Sequence, residues 1–239
     1  MRSRIPEVDF LRGIAILMMV FYHFMWDLWY LDVIDASVSS GFFNIFQTLT
    51  AGLFIFIVGV SLVLSYNLKK RRYRYFLIRG LKIFAGGLVI TAGSLAFSPD
   101  AFVFFGILHF IGLSIIIAAL FVRFTYFNLL IGTLSIAAGI YLEKFIFSFP
   151  WLVWLGFRHP VSTLDLYPLL PWIGLVFLGM FAGKMLYPKG NRAFSLKIIS
   201  LKIKNISRPV QYMGRHAFLI YFLHLPVVFA AAYLISLYV

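Results

Sequence analysis

The stretch DFLRGIAILMMVFYHFMWDL, residues 9–28, decides the fold because it is apolar over nearly the whole length that a bilayer requires. A helix crosses the hydrocarbon core with roughly 20 mainly apolar residues. The same stretch carries four ionisable residues, Asp9, Arg12, His23 and Asp27. Each of them costs free energy at membrane depth, so each needs a partner or a function.

The composition of the whole chain indicates a membrane protein. Of its 239 residues, 62% are hydrophobic and 12% are charged, whereas soluble domains have about 25% charged residues. The net charge of +13 comes from short basic blocks between apolar runs, which argues against a nucleic-acid-binding surface. The chain has no cysteine, so disulfides, cysteine-ligated zinc and a thiol nucleophile are excluded. No metal site is predicted.

Six further apolar runs follow the first, and none shows the short alternating pattern of barrel strands. The predicted fold class is therefore all-α, a polytopic transmembrane bundle of about seven helices that forms a single domain over residues 1–239. The predicted spans are 10–31, 42–66, 76–97, 101–122, 126–143, 166–187 and 213–238.

The basic residues predict the orientation, because positively charged loops stay in the cytoplasm. All but two of the 21 Lys and Arg residues lie on alternate connections, and the exceptions are Lys144 and Arg158. We therefore expect a multi-pass protein of the cell membrane with its N-terminus in the cytoplasm and its C-terminus outside. The cytoplasmic set includes, among others, Arg2, Arg4, Lys197 and Lys202.

Helical geometry places three of the ionisable residues of the first span on one face. Arg12 and His23 are eleven residues apart, which is within about 20° of three whole turns, and Asp27 lies one turn beyond His23. Arg12 can neutralise phosphate from the inner side, His23 can exchange a proton near neutral pH, and Asp27 can orient the imidazole. The alternative is structural, with Asp9 paired to Arg12 and His23 paired to Asp27.

Two more histidines are predicted near the depth of His23. Counting along the helices puts His109 at about the same height, and His224 near the middle of the last span. Because their predicted heights agree, His23 and His109 could meet. The alternative for each one is a histidine that is hydrogen-bonded to a helix carbonyl or to a neighbouring tyrosine.

Two connections carry further candidates. The run KKRRYRYF, residues 69–76, is typical of a topology signal that contacts anionic lipids, and its alternative role is binding of a nucleotide phosphate. The outer segment 143–165 contains charged and aromatic residues that are either solvated or line an outer vestibule, with the aromatic ones acting as interface anchors or as a sugar-stacking surface. They are Glu143, Lys144, Trp151, Trp154, Arg158, His159 and Asp165.

Four blocks in order along the chain resemble the heparan-alpha-glucosaminide N-acetyltransferase family. They are RIPEVDFLRGIAILMMVFYHFMWDL, FFGILHFIGLS, PWIGLVFLGMFAGK and GRHAFLIYFLHLPVV. Arg12 followed after ten residues by His23 is also similar to the Arg/Lys-x10-His motif of the acyltransferase-3 family, which belongs to the same broad transmembrane acyltransferase group.

The resemblance implies transfer of an acyl group, usually acetyl, from cytoplasmic acetyl-CoA or another acyl-CoA to a sugar or lipid-linked glycan presented outside. Arg12 would contribute to CoA binding and His23 to catalysis. The lysosomal member has a catalytic histidine in its first luminal loop, whereas residues 31–41 here contain none, so His23 would take that role. We assign the CoA phosphates to Arg12 and to basic residues around the second connection, which are Lys69, Lys70, Arg71, Arg72 and Arg79.

In the predicted reaction His23, oriented by Asp27, is the general base, and His109 or His224 stabilises the thioester oxyanion. A competing prediction is a proton-coupled small-molecule transporter in which the same His and Asp residues relay protons. A haem-binding bundle is a third option. The oligomeric state is left open, with a homodimer as one option.

Overall fold

The computed structural model describes residues 5–35, 38, 40–97, 99–160, 162–194 and 204–238. These residues form an all-α protein, and within them no strand occurs. The α-helices are α1 Pro6–Tyr30, α2 Gly41–Lys69, α3 Tyr73–Phe97, α4 Ile107–Leu120, α5 Tyr126–Leu142, α6 Leu169–Leu186, α7 Lys204–Arg215 and α8 Ala217–Ser236.

Five of these helices are long and apolar enough to cross a membrane, and two shorter apolar helices accompany them. The five are α1, α2, α3, α6 and α8, while α4 and α5 are the shorter ones. Each predicted span coincides with one of the seven, so the predicted polytopic helical bundle is confirmed. The orientation stays a prediction, and Arg2, Arg4, Lys197 and Lys202 lie outside the described residues.

The chain divides into two compact units, residues 1–57 with 195–239, and residues 58–194. The boundary falls inside α2, which contributes to both units. The prediction of a single domain remains a prediction, and each unit is described by itself.

In the first unit, α1 packs against α7 and α8. Two glycines allow the close approach of α1 and α7, because a Cβ on Gly13 would collide with the carbonyl oxygen of Val210, and a Cβ on Gly214 with that of Asp9. Sequence reasoning missed most of α7, since the predicted spans leave residues 188–212 between two helices. The cause is the polar sequence of α7 and its internal Pro209, which hide a short helix that packs against α1 and α8.

In the second unit, α3 packs on α4 and α5 packs on α6. Glycines again set the spacing: Gly132 of α5 faces Gly174 of α6, and Gly80 of α3 lies against the backbone of Gly112 in α4. Gly183 of α6 approaches α2, which agrees with the packing role expected of a small-xxx-small pattern.

A segment of the outer connection holds the beginning of α4. The Asp165 Oδ2 atom accepts a hydrogen bond from the Ile107 main-chain N–H at 3.0 Å, at the end of the helix where a negative charge is favourable. Thr163 donates its hydroxyl to the Phe102 carbonyl at 2.8 Å, and the Tyr167 N–H donates to the Phe105 carbonyl at 2.9 Å. These bonds hold residues 102–106 in extended backbone, so α4 begins at Ile107 rather than at residue 101.

Asp165 makes the stability of this connection depend on pH. Burial raises the pKa of Asp165 from 3.8 to about 6, against the opposing effect of hydrogen bonds from the Ile107 and Leu166 main chain. The folded carboxyl therefore holds its proton more tightly than the unfolded one, and the protein loses stability as pH rises from about 4 to above 6. In Asp165→Asn this loss should disappear, which thermal unfolding in detergent between pH 4.5 and 7.5 would measure.

The matched control is Asp100→Asn, because Asp100 is exposed. It should keep the pH dependence of the wild type. A wild-type Tm that rises over this interval relative to Asp165→Asn would contradict the assignment.

Candidate functional site

The imidazoles of His23 and His224 lie against each other in the first unit. Their ring centroids are 4.8 Å apart and the planes meet at 83°, an edge-to-face arrangement. His224 is 5% exposed, and His23 is partly buried. The contact brings α1 and α8 together at one point. The sequence singles out His23 and His109 as the pair that could meet, and that meeting stays a prediction.

Both rings are oriented by their own helices. The Nδ1 atom of His23 lies 2.9 Å from the Met19 carbonyl oxygen, and Nδ1 of His224 lies 2.7 Å from the Tyr221 carbonyl oxygen. A carbonyl can only accept, so in the neutral rings the proton is on Nδ1 and the lone pair is on Nε2. Nε2 of His224 is buried without a hydrogen-bond partner among the described residues. The pair therefore presents basic nitrogens inside the first unit.

Asp27 does not orient His23 as predicted, because the Met19 carbonyl binds Nδ1 instead. A carbonyl one turn back on the same helix is within reach of Nδ1 without any movement of the backbone. The Oδ2 atom of Asp27 is buried and has no hydrogen-bond partner in the described part of the chain. Such a carboxyl is costly unless it holds a proton or meets a substrate group, and its place in the site stays a prediction.

Arg12 and Asp9 form an ion pair at the beginning of α1. The Arg12 Nη1 atom lies 2.9 Å from Asp9 Oδ1 and donates to the Gly214 carbonyl oxygen at 3.1 Å. Arg215 Nε approaches Asp9 Oδ2 at 3.5 Å. These contacts tie α1 to the end of α7, so the structural alternative for Asp9 and Arg12 is confirmed. Binding of a CoA phosphate by Arg12 stays a prediction.

Arg12 and His23 nevertheless share a face of α1, as their spacing predicts. Arg12 contacts the last turn of α7 through Gly214, and His23 contacts α8 through His224. The Arg12 guanidinium and the His23 imidazole therefore lie on the face of α1 that packs against α7 and α8, which are joined at His216.

His109 belongs to the second unit, where its ring fills a space between α3 and α4. It stacks on Phe105 with ring centroids 5.6 Å apart and meets the edge of Phe84 at 5.1 Å. A Cβ on Gly87 would come within 2.8 Å of its Nδ1. This packing is the ordinary role of a buried aromatic ring, and catalysis by His109 stays a prediction.

Thr91 identifies the tautomer of His109. The Thr91 hydroxyl donates its only proton to the Val103 carbonyl at 2.7 Å. It can therefore only accept from Nε2 of His109, which lies 3.4 Å away. The lone pair of His109 is on Nδ1, which is buried and has no partner in the described ranges.

The predicted CoA-binding residues lie around the turn between α2 and α3. Lys70, Arg71 and Arg72 are exposed, and the Arg71 guanidinium lies over the Tyr75 ring, 4.4 Å from its centroid. Arg79 is partly buried, and the side chain of Lys69 lies outside the described residues. Exposed cations at a helix junction can bind phosphate, but no described contact tests that role.

A cavity of about 330 Å³ lies in the second unit. Its polar lining residues are Glu143, Arg158 and His159, three of the residues for which the sequence leaves open a solvated position or an outer vestibule. The apolar part of the wall comes mainly from residues 153–168 of the same connection, with Leu170 of α6, and only the fold brings these residues together.

The catalytic-domain family described as heparan-alpha-glucosaminide N-acetyltransferase matches residues 4–226 of the chain. Comparisons with curated proteins and with solved structures give no significant match. The similarity to the acyltransferase-3 motif stays a prediction. The match covers nearly the whole chain, including both histidines of the α1–α8 contact. The chain therefore belongs to the heparan-alpha-glucosaminide N-acetyltransferase family, in the form of a polytopic helical membrane protein.

Proposed function

We propose that the protein transfers an acyl group, most simply acetyl, from cytoplasmic acyl-CoA to a sugar or lipid-linked glycan on the outer side of the cell membrane. The observation that carries the proposal is the contact of His23 and His224, whose Nδ1 atoms are both held by helix carbonyls. An imidazole with a free Nε2 is the usual general base of acyl transfer, and the family is one of acetyltransferases.

In the proposed reaction, Nε2 of His23 takes the proton from the hydroxyl or amine of the acceptor. The acceptor atom then attacks the thioester carbon, the carbon–sulfur bond breaks, and the CoA sulfur receives the proton back from the imidazolium. His23 thereby ends each cycle neutral, with no net change in its protonation.

His224 has a narrower range of roles than the sequence suggested. Its Nδ1–H is occupied by the Tyr221 carbonyl, so it can donate to an oxyanion only when Nε2 is protonated. Two imidazolium charges at the 4.8 Å separation of the ring centroids would repel by about 3 kcal/mol at an effective dielectric constant of about 20. The pair therefore carries at most one positive charge. Because His23 holds the proton of the acceptor while the oxyanion exists, Nε2 of His224 is then unprotonated, and His224 is not the oxyanion donor in the proposed reaction.

Binding of acyl-CoA, the acyl donor, is assigned to positively charged residues. A CoA molecule carries several phosphate charges, and Lys70, Arg71 and Arg72 form an exposed cationic turn that can bind them. The basic connections are proposed to face the cytoplasm, where acyl-CoA is found and where anionic lipids would contact the same turn. Only the acyl group then has to cross the membrane.

We expect His23→Gln to lower acyl transfer by roughly 100-fold or more, because general base catalysis contributes on that scale. Glutamine keeps the size of the side chain but cannot exchange a proton near neutral pH. Transfer of radiolabelled acetyl from acetyl-CoA to sugar acceptors, with purified protein in nanodiscs, measures the effect.

The matched control is His216→Gln. The Nδ1 atom of His216 also binds a helix carbonyl, that of Tyr212 at 2.9 Å, but the residue is exposed at the junction of α7 and α8. Its replacement should leave transfer unchanged. Full transfer by His23→Gln would remove His23 from the reaction, and proton-driven uptake without any CoA turnover would favour the transporter.

The double variant Arg71→Gln/Arg72→Gln should weaken CoA binding without unfolding the protein, because both side chains are exposed. The wild type should gain thermal stability when CoA is added, since a ligand that binds only the folded state raises its Tm. The double variant should lose most of that gain at the same CoA concentration.

The control for the double variant is Lys144→Gln, because it removes a positive charge from the side of the membrane that is predicted to be outside. It should keep the full shift in Tm. Equal CoA stabilisation of the wild type and the double variant would rule out the basic turn as the phosphate site.

A further inference from the structure

The cavity in the second unit is built around the long connection between α5 and α6, residues 143–168. A segment of 3-10 helix, Pro150–Leu155, ends at Gly156, whose φ of 124° requires glycine. A Cβ at Gly156 would also come within 2.8 Å of the Leu170 carbonyl oxygen. The connection is thus fitted closely against the beginning of α6, and the cavity of about 330 Å³ remains beside it.

Two polar side chains of the cavity, Arg158 and His159, bind main-chain oxygens. The Phe147 N–H donates to the Arg158 carbonyl oxygen at 2.8 Å, and Nδ1 of His159 lies 2.7 Å from the Phe147 carbonyl oxygen. Arg158 Nη1 donates to the Glu143 main-chain oxygen at 3.3 Å. The His159 ring is thereby oriented before any ligand binds, which lowers the entropy cost of binding, while Arg158 is exposed and free to turn towards a ligand.

Glu143 and Arg158 line the same cavity without forming an ion pair within the described part of the chain. The Arg158 contact uses the main-chain oxygen of Glu143, so it does not occupy the carboxylate of this exposed lining residue. With the proton of His159 on Nδ1, its Nε2 is an acceptor. The lining thus combines a guanidinium with two acceptors of hydroxyl protons.

The rest of the wall is apolar. It consists of Val153, Phe157, Leu166, Pro168 and Leu170, together with the backbone of Gly156. A volume at the lower end of the range of small-molecule sites, with few fixed polar groups on an apolar wall, is typical of a specific pocket. A simple inorganic anion would leave most of this volume and both acceptors unused.

We propose that this cavity binds a single sugar unit that carries a carboxylate, with the acidic group on Arg158 and ring hydroxyls on Glu143 and His159. Guanidinium binds carboxylate through paired hydrogen bonds, and the apolar wall covers the C–H face of the ring. The choice of a sugar rests on the proposed function, whereas the acidic group rests on Arg158 alone.

The test measures binding without acyl-CoA, by titrating purified protein in detergent with glucuronate, glucose and glucosamine and following tryptophan fluorescence. Glucuronate should bind more tightly than the other two sugars. Arg158→Gln should lower the affinity for glucuronate by roughly tenfold or more, since the hydrogen bonds that are lost are charge-assisted. It should leave the affinity for glucose nearly unchanged. Lys144→Gln, which removes the neighbouring charge outside the lining, should bind glucuronate like the wild type.

Glu143→Gln separates a sugar site from a general anion site. Glu143→Gln should lower the affinity for glucuronate, because an amide accepts hydrogen bonds from sugar hydroxyls less well than a carboxylate does. It should raise the affinity for sulfate, because the negative charge that repels the anion is gone. Tighter binding of both ligands would overturn the proposal, as would equal affinity for glucose and glucuronate or an unchanged affinity in Arg158→Gln.

The outcome is distinguishable from that of the transferase proposal. Glucuronate binding that depends on Arg158 in a protein that transfers no acetyl would retain the cavity and reject the enzyme. Acetyl transfer that depends on His23, with no glucuronate binding, would retain the enzyme and reject this cavity as an acidic-sugar site.

Discussion

The first unit depends on one interaction, the contact of the Asp9–Arg12 ion pair of α1 with the end of α7. Asp9 and Arg12 neutralise each other, and the guanidinium also binds the carbonyl of Gly214. Two glycines let the backbones approach closely enough for this contact. Because α1 is a straight element with a fixed rotation per residue, anchoring Arg12 also sets the direction in which His23 faces.

The chemistry of the histidines then depends on where Nε2 lies. His23, His216 and His224 all bind a main-chain carbonyl of their own helix through Nδ1, so their local geometry is nearly the same. His216 is exposed, while His23 and His224 meet edge to face inside the protein. A basic nitrogen in water is solvated, whereas one buried beside a second imidazole is removed from most of that water and is available to a group of a bound substrate.

In the second unit, the helices are held together by close contacts at glycines and by hydrogen bonds from the loops. The α3–α4 and α5–α6 pairs are close because small residues lie at their crossings, and Asp165 satisfies the first N–H of α4. His109 is enclosed by this packing. The connection from α5 to α6 is ordered by its own main-chain bonds, and its exposed Glu143 and Arg158 line a cavity beside it.

Apolar length alone locates the five helices that could cross a membrane and the two shorter apolar helices, since a bilayer requires the same number of apolar residues whatever the neighbours are. Helical spacing also determines that Arg12 and His23 share a face. The helix α7, the later start of α4 and the binding of His23 to Met19 instead of Asp27 could not be predicted, because each follows from contacts with other segments or from competition between nearby acceptors. The sequence by itself determined the all-α membrane class and the residues able to exchange protons. Only the tertiary structure decided that His224 meets His23 and that Arg12 is tied to α7, because a side chain's partner depends on which helices pack together, and periodicity within one helix carries no information about that.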